Sequence, residues 1–131
     1  MWAAFAFVLN LLWELAQLPL YSIFATGTQK EIAFAFAHCT AGDVLIAVSS
    51  FVLGLMATRR VDWPMSRPLL GGIVVTLSGL AYTAFSEWRN VYQTGSWSYA
   101  PAMPLLFGIG LTPLLQWIVI SPLCIAWFRK R

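Results

Sequence analysis

Four long stretches of this chain, about residues 2–24, 32–58, 68–88 and 105–128, are almost free of charge and dense in Leu, Ile, Val, Phe, Ala and Trp. Segments of that kind match the span of a bilayer's hydrocarbon core, about 20 residues of α-helix. Of the 131 residues 60% are hydrophobic and only 10% are charged, so apolar surface is left over after any packing and has to meet lipid. The expectation is an all-α, integral membrane four-helix bundle, with residues 1–131 forming a single transmembrane domain. No length remains for a separate soluble module.

The connections are short. Residues 26–31 read as a polar turn, 59–67 as a basic loop punctuated by Pro64, and 89–104 as a longer aromatic connection holding Trp97, Tyr99, Pro101 and Pro104. Pro19 is expected to kink the first helix, Pro68 suits the first turn of the third, and Pro113 and Pro122 fall inside the fourth. The first segment reads as a retained helix rather than a secretory leader, because it lacks a basic start and Asn10, Glu14 and Gln17 interrupt its apolar run. Basic residues give the direction. Arg59, Arg60, Arg67, Arg129, Lys130 and Arg131 lie on one side, against Lys30 and Arg89 on the other. Both termini are therefore expected in the cytoplasm, with the chain multi-pass in a cell inner membrane. The net charge of +3 reflects this anchoring, and no basic patch with interleaved aromatics speaks for nucleic acid. Trp and Tyr, numerous here, are expected mainly near the two interfaces. Cys39 and Cys124 fall toward opposite sides and neither sits in a C-x-x-C pair, which removes disulfide, redox and zinc-ribbon readings.

Each predicted helix carries one polar or small face. Asn10, Glu14, Gln17 and Tyr21 follow i, i+4, i+7, i+11 spacing and share a narrow arc of the first helix. On the second, Asp43, Ala47, Ser50 and Gly54 align, with Cys39 one turn earlier, while His38 points about 140° away from Asp43. Gly72, Thr76, Gly79, Thr83, Glu87 and Asn90 fall on one side of the third, and Gly108, Thr112 and Gln116 on one side of the fourth. Ionisable groups are costly in hydrocarbon, so the four faces are expected to converge on an interior polar seam. Glu14, Asp43 and Gln116 sit near mid-span, Gln17, His38, Thr83 and Glu87 in the outer half, and Tyr21 and Asn90 near the outer boundary. The seam is thus expected to open outward, with Trp97 in the aromatic connection over its mouth.

What these groups do admits several readings. Glu14 and Asp43 are the candidate acid–base pair, yet a carboxyl can also simply hydrogen-bond between helices. His38 reads as an interhelical donor or an outer-interface residue, Glu87 as a solvated ion pair with Arg89, and the Gly and Thr stripes as packing. No His, Cys or carboxylate pair has metal-ligand spacing, and the sequence identifies no cofactor. The leading expectation is a seam that binds a lipid-like or hydrophobic small molecule and acts on it by acid–base chemistry, with Asn10, Gln17, Tyr21, His38, Thr83, Glu87, Asn90, Trp97 and Gln116 as ligand-binding residues. A non-catalytic subunit or assembly factor of a larger membrane complex is a second reading, with a membrane-protein partner. A proton-coupled transporter is a third, requiring a homo-oligomer because four helices are few for a pore.

The runs Ser86-Glu87-Trp88-Arg89-Asn90-Val91-Tyr92, Gly95-Ser96-Trp97-Ser98-Tyr99 and Pro113-Leu114-Leu115-Gln116-Trp117, with Trp13-Glu14, Gln17-Leu18-Pro19-Leu20-Tyr21, His38-Cys39-Thr40 and Gly42-Asp43, resemble a family of small bacterial four-helix membrane proteins of unassigned function. That resemblance covers most of the chain and implies the fold alone. A weaker analogy is to the membrane lycopene cyclase domain of carotenoid synthesis, which has a Gly-x-Trp-x-aromatic segment and a helix bearing Pro-x-Glu-Glu. Gly95, Trp97 and Tyr99 match the first part, whereas Pro113-Leu114-Leu115-Gln116 lacks the paired acids.

Overall fold

A computed structural model describes residues 1–131. Four helices in it are long and apolar enough to cross a membrane. They are built from α1 (Trp2–Gln17), α3 (Gln29–Thr58), α5 (Pro68–Trp88) and α6 (Leu111–Arg129), with single-turn helices α2 (Ile23–Thr26) and α4 (Trp63–Ser66) in the connections. Each long helix packs on its neighbours in the order α1, α3, α5, α6 and back to α1, an up-down-up-down bundle. Both chain ends, α4 and six of the eight basic residues therefore gather at one end, here the terminus end.

Several boundaries differ from expectation, each for a local reason. The first helix was expected to reach residue 24, but α1 stops at Gln17 and tightens into a 3-10 turn over Leu18–Leu20. Pro19 has no N–H to give and its ring crowds the preceding turn, so the chain leaves the α-helix there rather than merely bending. Tyr21 is then extended. The second long helix begins at Gln29 rather than 32, because Thr28 caps it: the Thr28 N–H donates to Glu31 Oε2 at 2.7 Å, and the Glu31 N–H donates to Thr28 Oγ1 at 3.3 Å. After Trp88 the third continues through a π-turn, Arg89–Gln93. Residues 105–110 do not join the fourth helix. They form a two-stranded hairpin, β1 (Leu105–Leu106) with β2 (Ile109–Gly110), and α6 starts at Leu111, so Pro113 lies harmlessly in its first turn and only Pro122 interrupts it.

Three of the seven tryptophans pack inside the bundle. Trp2, Trp63 and Trp117 are buried, and Trp63, assigned by sequence to a basic loop, is fully enclosed. Helix α4 turns Trp63 into the bundle, where its ring lies against Gly54 of α3 and Gly71 of α5; a Cβ at Gly71 would stand 2.0 Å from the ring. Trp2, Phe51 and Trp63 surround one another at centroid distances of 4.9, 5.7 and 5.3 Å, and Phe128 closes on Trp2 at 6.0 Å. Trp117 fills the corresponding space at Gly79 and donates its indole N–H to Thr83 Oγ1 at 2.7 Å. Small residues on one helix thus accept large rings from another, and the Trp2, Phe51, Trp63 and Phe128 rings fill the terminus half of the bundle as an apolar plug.

Candidate functional site

Beyond the plug, toward the opposite end, the interior turns polar. The buried face of α1 is Trp2, Ala6, Asn10, Glu14 and Gln17, so one i, i+4 line passes from plug to seam. Asn10 Nδ2 donates back to the Ala6 carbonyl at 2.8 Å, leaving its Oδ1 to accept from Gln116 Nε2 of α6 at 2.6 Å. The same Gln116 nitrogen donates to Asp43 Oδ2 of α3 at 2.8 Å. The Asp43 and Glu14 carboxyl groups are within hydrogen-bonding reach of each other, and Glu14 Oε1 accepts from Gln17 Nε2 at 2.5 Å. Two carboxyl groups in such contact bond only through a shared proton, since an ionised one has no donor. Asn10, Gln116, Asp43, Glu14 and Gln17 form one continuous network across three helices.

A second cluster lies nearer the open end. Glu87 is buried and accepts from the Tyr21 hydroxyl at 3.1 Å and the Tyr99 hydroxyl at 2.7 Å, both on Oε2. The expected solvated pair with Arg89 is absent; the molecule's one ion pair joins Arg60 and Asp62 at 3.0 Å. Helical geometry explains this, because Glu87 continues the buried line of Gly71, Val75, Gly79 and Thr83 while Arg89 is turned outward. The Trp97 ring reaches the same carboxyl group, but its buried Nε1–H has no partner in bonding geometry. Burial pushes the Tyr21 and Tyr99 hydroxyls up, and the neighbouring Glu87 carboxyl adds to both.

The aromatic connection is tied down by backbone pairing. Tyr21 and Tyr99 form an antiparallel bridge, with the Ser22 N–H donating to the Ser98 carbonyl at 3.0 Å and the Ala100 N–H to the Leu20 carbonyl at 2.8 Å. The Ser22 and Ser98 hydroxyls also meet. The extended residue that Pro19 forces after α1 is therefore the strand that receives the cover.

Between the clusters is a cavity of about 610 Å³, lined from α1, α3, α5 and α6. Glu14, Gln17, Asp43 and Gln116 line its polar side, with Tyr21, Glu87 and Trp97 toward the cover. Leu45, Leu53 and Tyr82 also line it, although they stand 69%, 44% and 56% exposed on the outer faces of α3 and α5. The cavity thus opens sideways between those two helices. The remaining sequence candidates also line the cavity, but their side chains are bound elsewhere or stand at its rim. Thr83 is committed to Trp117, Asn90 Nδ2 donates to the Ser86 carbonyl at 2.8 Å, and His38 is exposed at the rim, stacked on Phe34 at 5.7 Å. Cys39 lines the cavity, and both cysteines are free. No three metal-ligating side chains converge anywhere in the chain.

Two contributors escaped sequence reading, Tyr99 as the second donor to Glu87 and Trp63 as the plug. For Tyr99 a signal existed, since Trp97 and Tyr99 are two apart and an extended segment puts both on one face. The fold and site define a helical bundle closed at one end and holding a polar, side-opening cavity toward the other. No protein-family model, curated protein or solved structure matches the chain.

Proposed function

We propose that this chain is a multi-pass protein of a bacterial inner membrane whose cavity, facing the outer side, binds a lipid-like or hydrophobic small molecule. The supporting observation is the cavity's division. Its inner wall carries carboxyl and carboxamide groups, while its opening between α3 and α5 is framed by Leu45, Leu53 and Tyr82. An amphiphile arriving from the bilayer would meet the apolar frame with its tail and the polar wall with its head. Orientation rests on charge, with Arg59, Arg60, Arg67, Arg129, Lys130 and Arg131 at the terminus end and Lys30 and Arg89 at the other. Both termini then lie in the cytoplasm, and the bacterial setting follows the motif resemblance.

Glu14 and Asp43 are the groups that would move a proton, because they alone form a contacting carboxyl pair beside the cavity. The plug of Trp2, Phe51, Trp63 and Phe128 favours binding over conduction, since it fills the bundle's interior at the terminus end. The test is to purify the protein in lipid nanodiscs, extract the co-purifying small molecules and identify them by mass spectrometry. An amphiphile retained at about one per chain in the wild type and lost from a folded E14Q/D43N variant is the expected result. Equal lipid content in both proteins would refute the reading.

A further inference from the structure

The cavity's polar wall is unbalanced. Glu14, Asp43 and Glu87 line it, and no Lys or Arg does. Most donors beside these acids are already committed: Gln17 Nε2 to Glu14, Gln116 Nε2 to Asn10 and Asp43, and the Tyr21 and Tyr99 hydroxyls to Glu87. Gln17 is only 5% exposed, yet its Oε1 accepts from nothing. A buried carboxamide oxygen without a donor is costly, typically about 1–3 kcal/mol, and cavity-lining Gln17 meets its want most simply with a donor from a ligand. Of the lining donors without a partner, Trp97 Nε1–H lies beside Glu87 near the cover, and those of His38, Ser49 and Tyr82 belong to exposed residues at the rim.

We propose that the cavity takes a hydrophobic amine, its ammonium group set among the Glu14 and Asp43 carboxyl groups and the Gln17 carboxamide oxygen, and its apolar body leaving between α3 and α5. This rests on the reading of the cavity as a ligand site and names the ligand's chemistry. An ammonium supplies several N–H donors and a positive charge, which is what a wall of acceptors without a counter-ion lacks. A phosphate or carboxylate head would face three acids and no cation, so anionic amphiphiles are rejected by repulsion as much as by lost bonds. An alcohol can satisfy Gln17 but brings no positive charge to the acids. Tyr82 and Trp97 add ring faces to the route, to which a cation is also attracted.

Three probes of equal chain length separate these cases: dodecylamine, dodecanol and dodecanoate, titrated into the protein in phosphatidylcholine nanodiscs. Two readouts apply, intrinsic Trp fluorescence and protection of Cys39, which lines the cavity, from maleimide alkylation; Cys124 is buried. The expected result is saturable binding of dodecylamine at least tenfold tighter than dodecanol, no saturation with dodecanoate, and a fall of the amine to the alcohol's level in E14Q/D43N. The same nanodiscs with that variant control for partitioning into lipid. If the variant does not fold, Cys39 protection in the wild type still ranks the three heads. Dodecanol or dodecanoate binding as tightly as the amine overturns the amine assignment while leaving the cavity a ligand site. Failure of all three to saturate or to protect Cys39 overturns both.

Discussion

Tyr21 and Tyr99 form a backbone bridge and also donate their hydroxyls to one oxygen of Glu87, so the cover is held both by its main chain and by a carboxyl group of α5. Removing one hydroxyl should loosen the cover without unfolding the bundle. Y99F is expected to cost about 1.5–3 kcal/mol locally, the worth of a hydrogen bond to a charged group. Hydrogen exchange should then quicken in residues 95–104 and stay unchanged in α6. Uniform acceleration through all helices would show that the contact supports the whole fold instead.

The same pair sets an alkaline limit. Burial, reinforced by Glu87, raises both phenols above their unfolded value of about 10. A group with a raised folded pKa contributes stability that is present below its unfolded pKa and lost as pH climbs toward the folded one. Thermal stability in detergent should therefore be insensitive to these groups up to about pH 10 and fall above it. In Y21F/Y99F the alkaline fall should be smaller, starting from a lower plateau. An identical alkaline slope in both proteins would assign the transition to other groups.

Gln116 joins α6 to α1 and α3 through a single nitrogen that serves Asn10 and Asp43. Q116L keeps bulk but strands the buried Asn10 acceptor, at a cost of about 1–3 kcal/mol, and removes a donor from part-buried Asp43. Because both lost bonds share that nitrogen, N10A and Q116L should be non-additive, coupling by more than about 0.5 kcal/mol in a double-mutant cycle. Simple addition of the two effects would mean that the network is not a unit.

Much of the fold was legible in the sequence because four apolar runs of membrane-spanning length admit few solutions. Long apolar runs, the stripe Asn10, Glu14, Gln17, and the small face Ala47, Ser50, Gly54 follow from helical periodicity and the cost of exposing polar groups. Periodicity carries no information about connections, and the errors lie there. Trp63 is read as part of a basic loop because nothing local reveals that Gly54 and Gly71, from different helices, leave space for it. For Glu87 a solvated pair with Arg89, two residues on, stands beside its place on the polar face, and periodicity does not decide between them, because its partners Tyr21 and Tyr99 are 66 and 12 residues away. Pro113 suggests an interrupted helix until the hairpin moves the helix start to Leu111.

The plug itself is testable through its glycines. G71A drives a methyl into the Trp63 ring, whose rigid edge cannot swing aside, and should cost about 1–3 kcal/mol as overpacking. G42A places its methyl where nothing lies within 4 Å and should be neutral or slightly stabilising. The contrast matters because both glycines lie within long helices, so a propensity effect alone would move them together. Equal melting midpoints for the two variants would mean that Trp63 does not occupy its place between α3 and α5.

At the hairpin tip, Phe107 has φ 51° and Gly108 φ 78°, two successive left-handed residues between paired strands. A two-residue hairpin loop of this kind favours Asn-Gly, and a non-glycine residue held there costs about 1–2 kcal/mol. Nothing in the chain compensates, for Phe107 is 98% exposed, while the Tyr92 hydroxyl grips the Gly108 carbonyl at 2.5 Å and holds the turn in place. Leu105 and Leu106 beside it are also exposed, which makes the tip an apolar prow at the end of the bundle away from the termini. Strain kept at an exposed apolar side chain indicates a contact outside the chain, and in the proposed orientation that contact is the outer lipid interface. F107N should therefore raise the unfolding midpoint in a small-micelle detergent, by an amount near about 1 kcal/mol, and lose that gain in nanodiscs where the ring would be anchored. A gain of the same size in both media would mean that the ring has no lipid contact to lose.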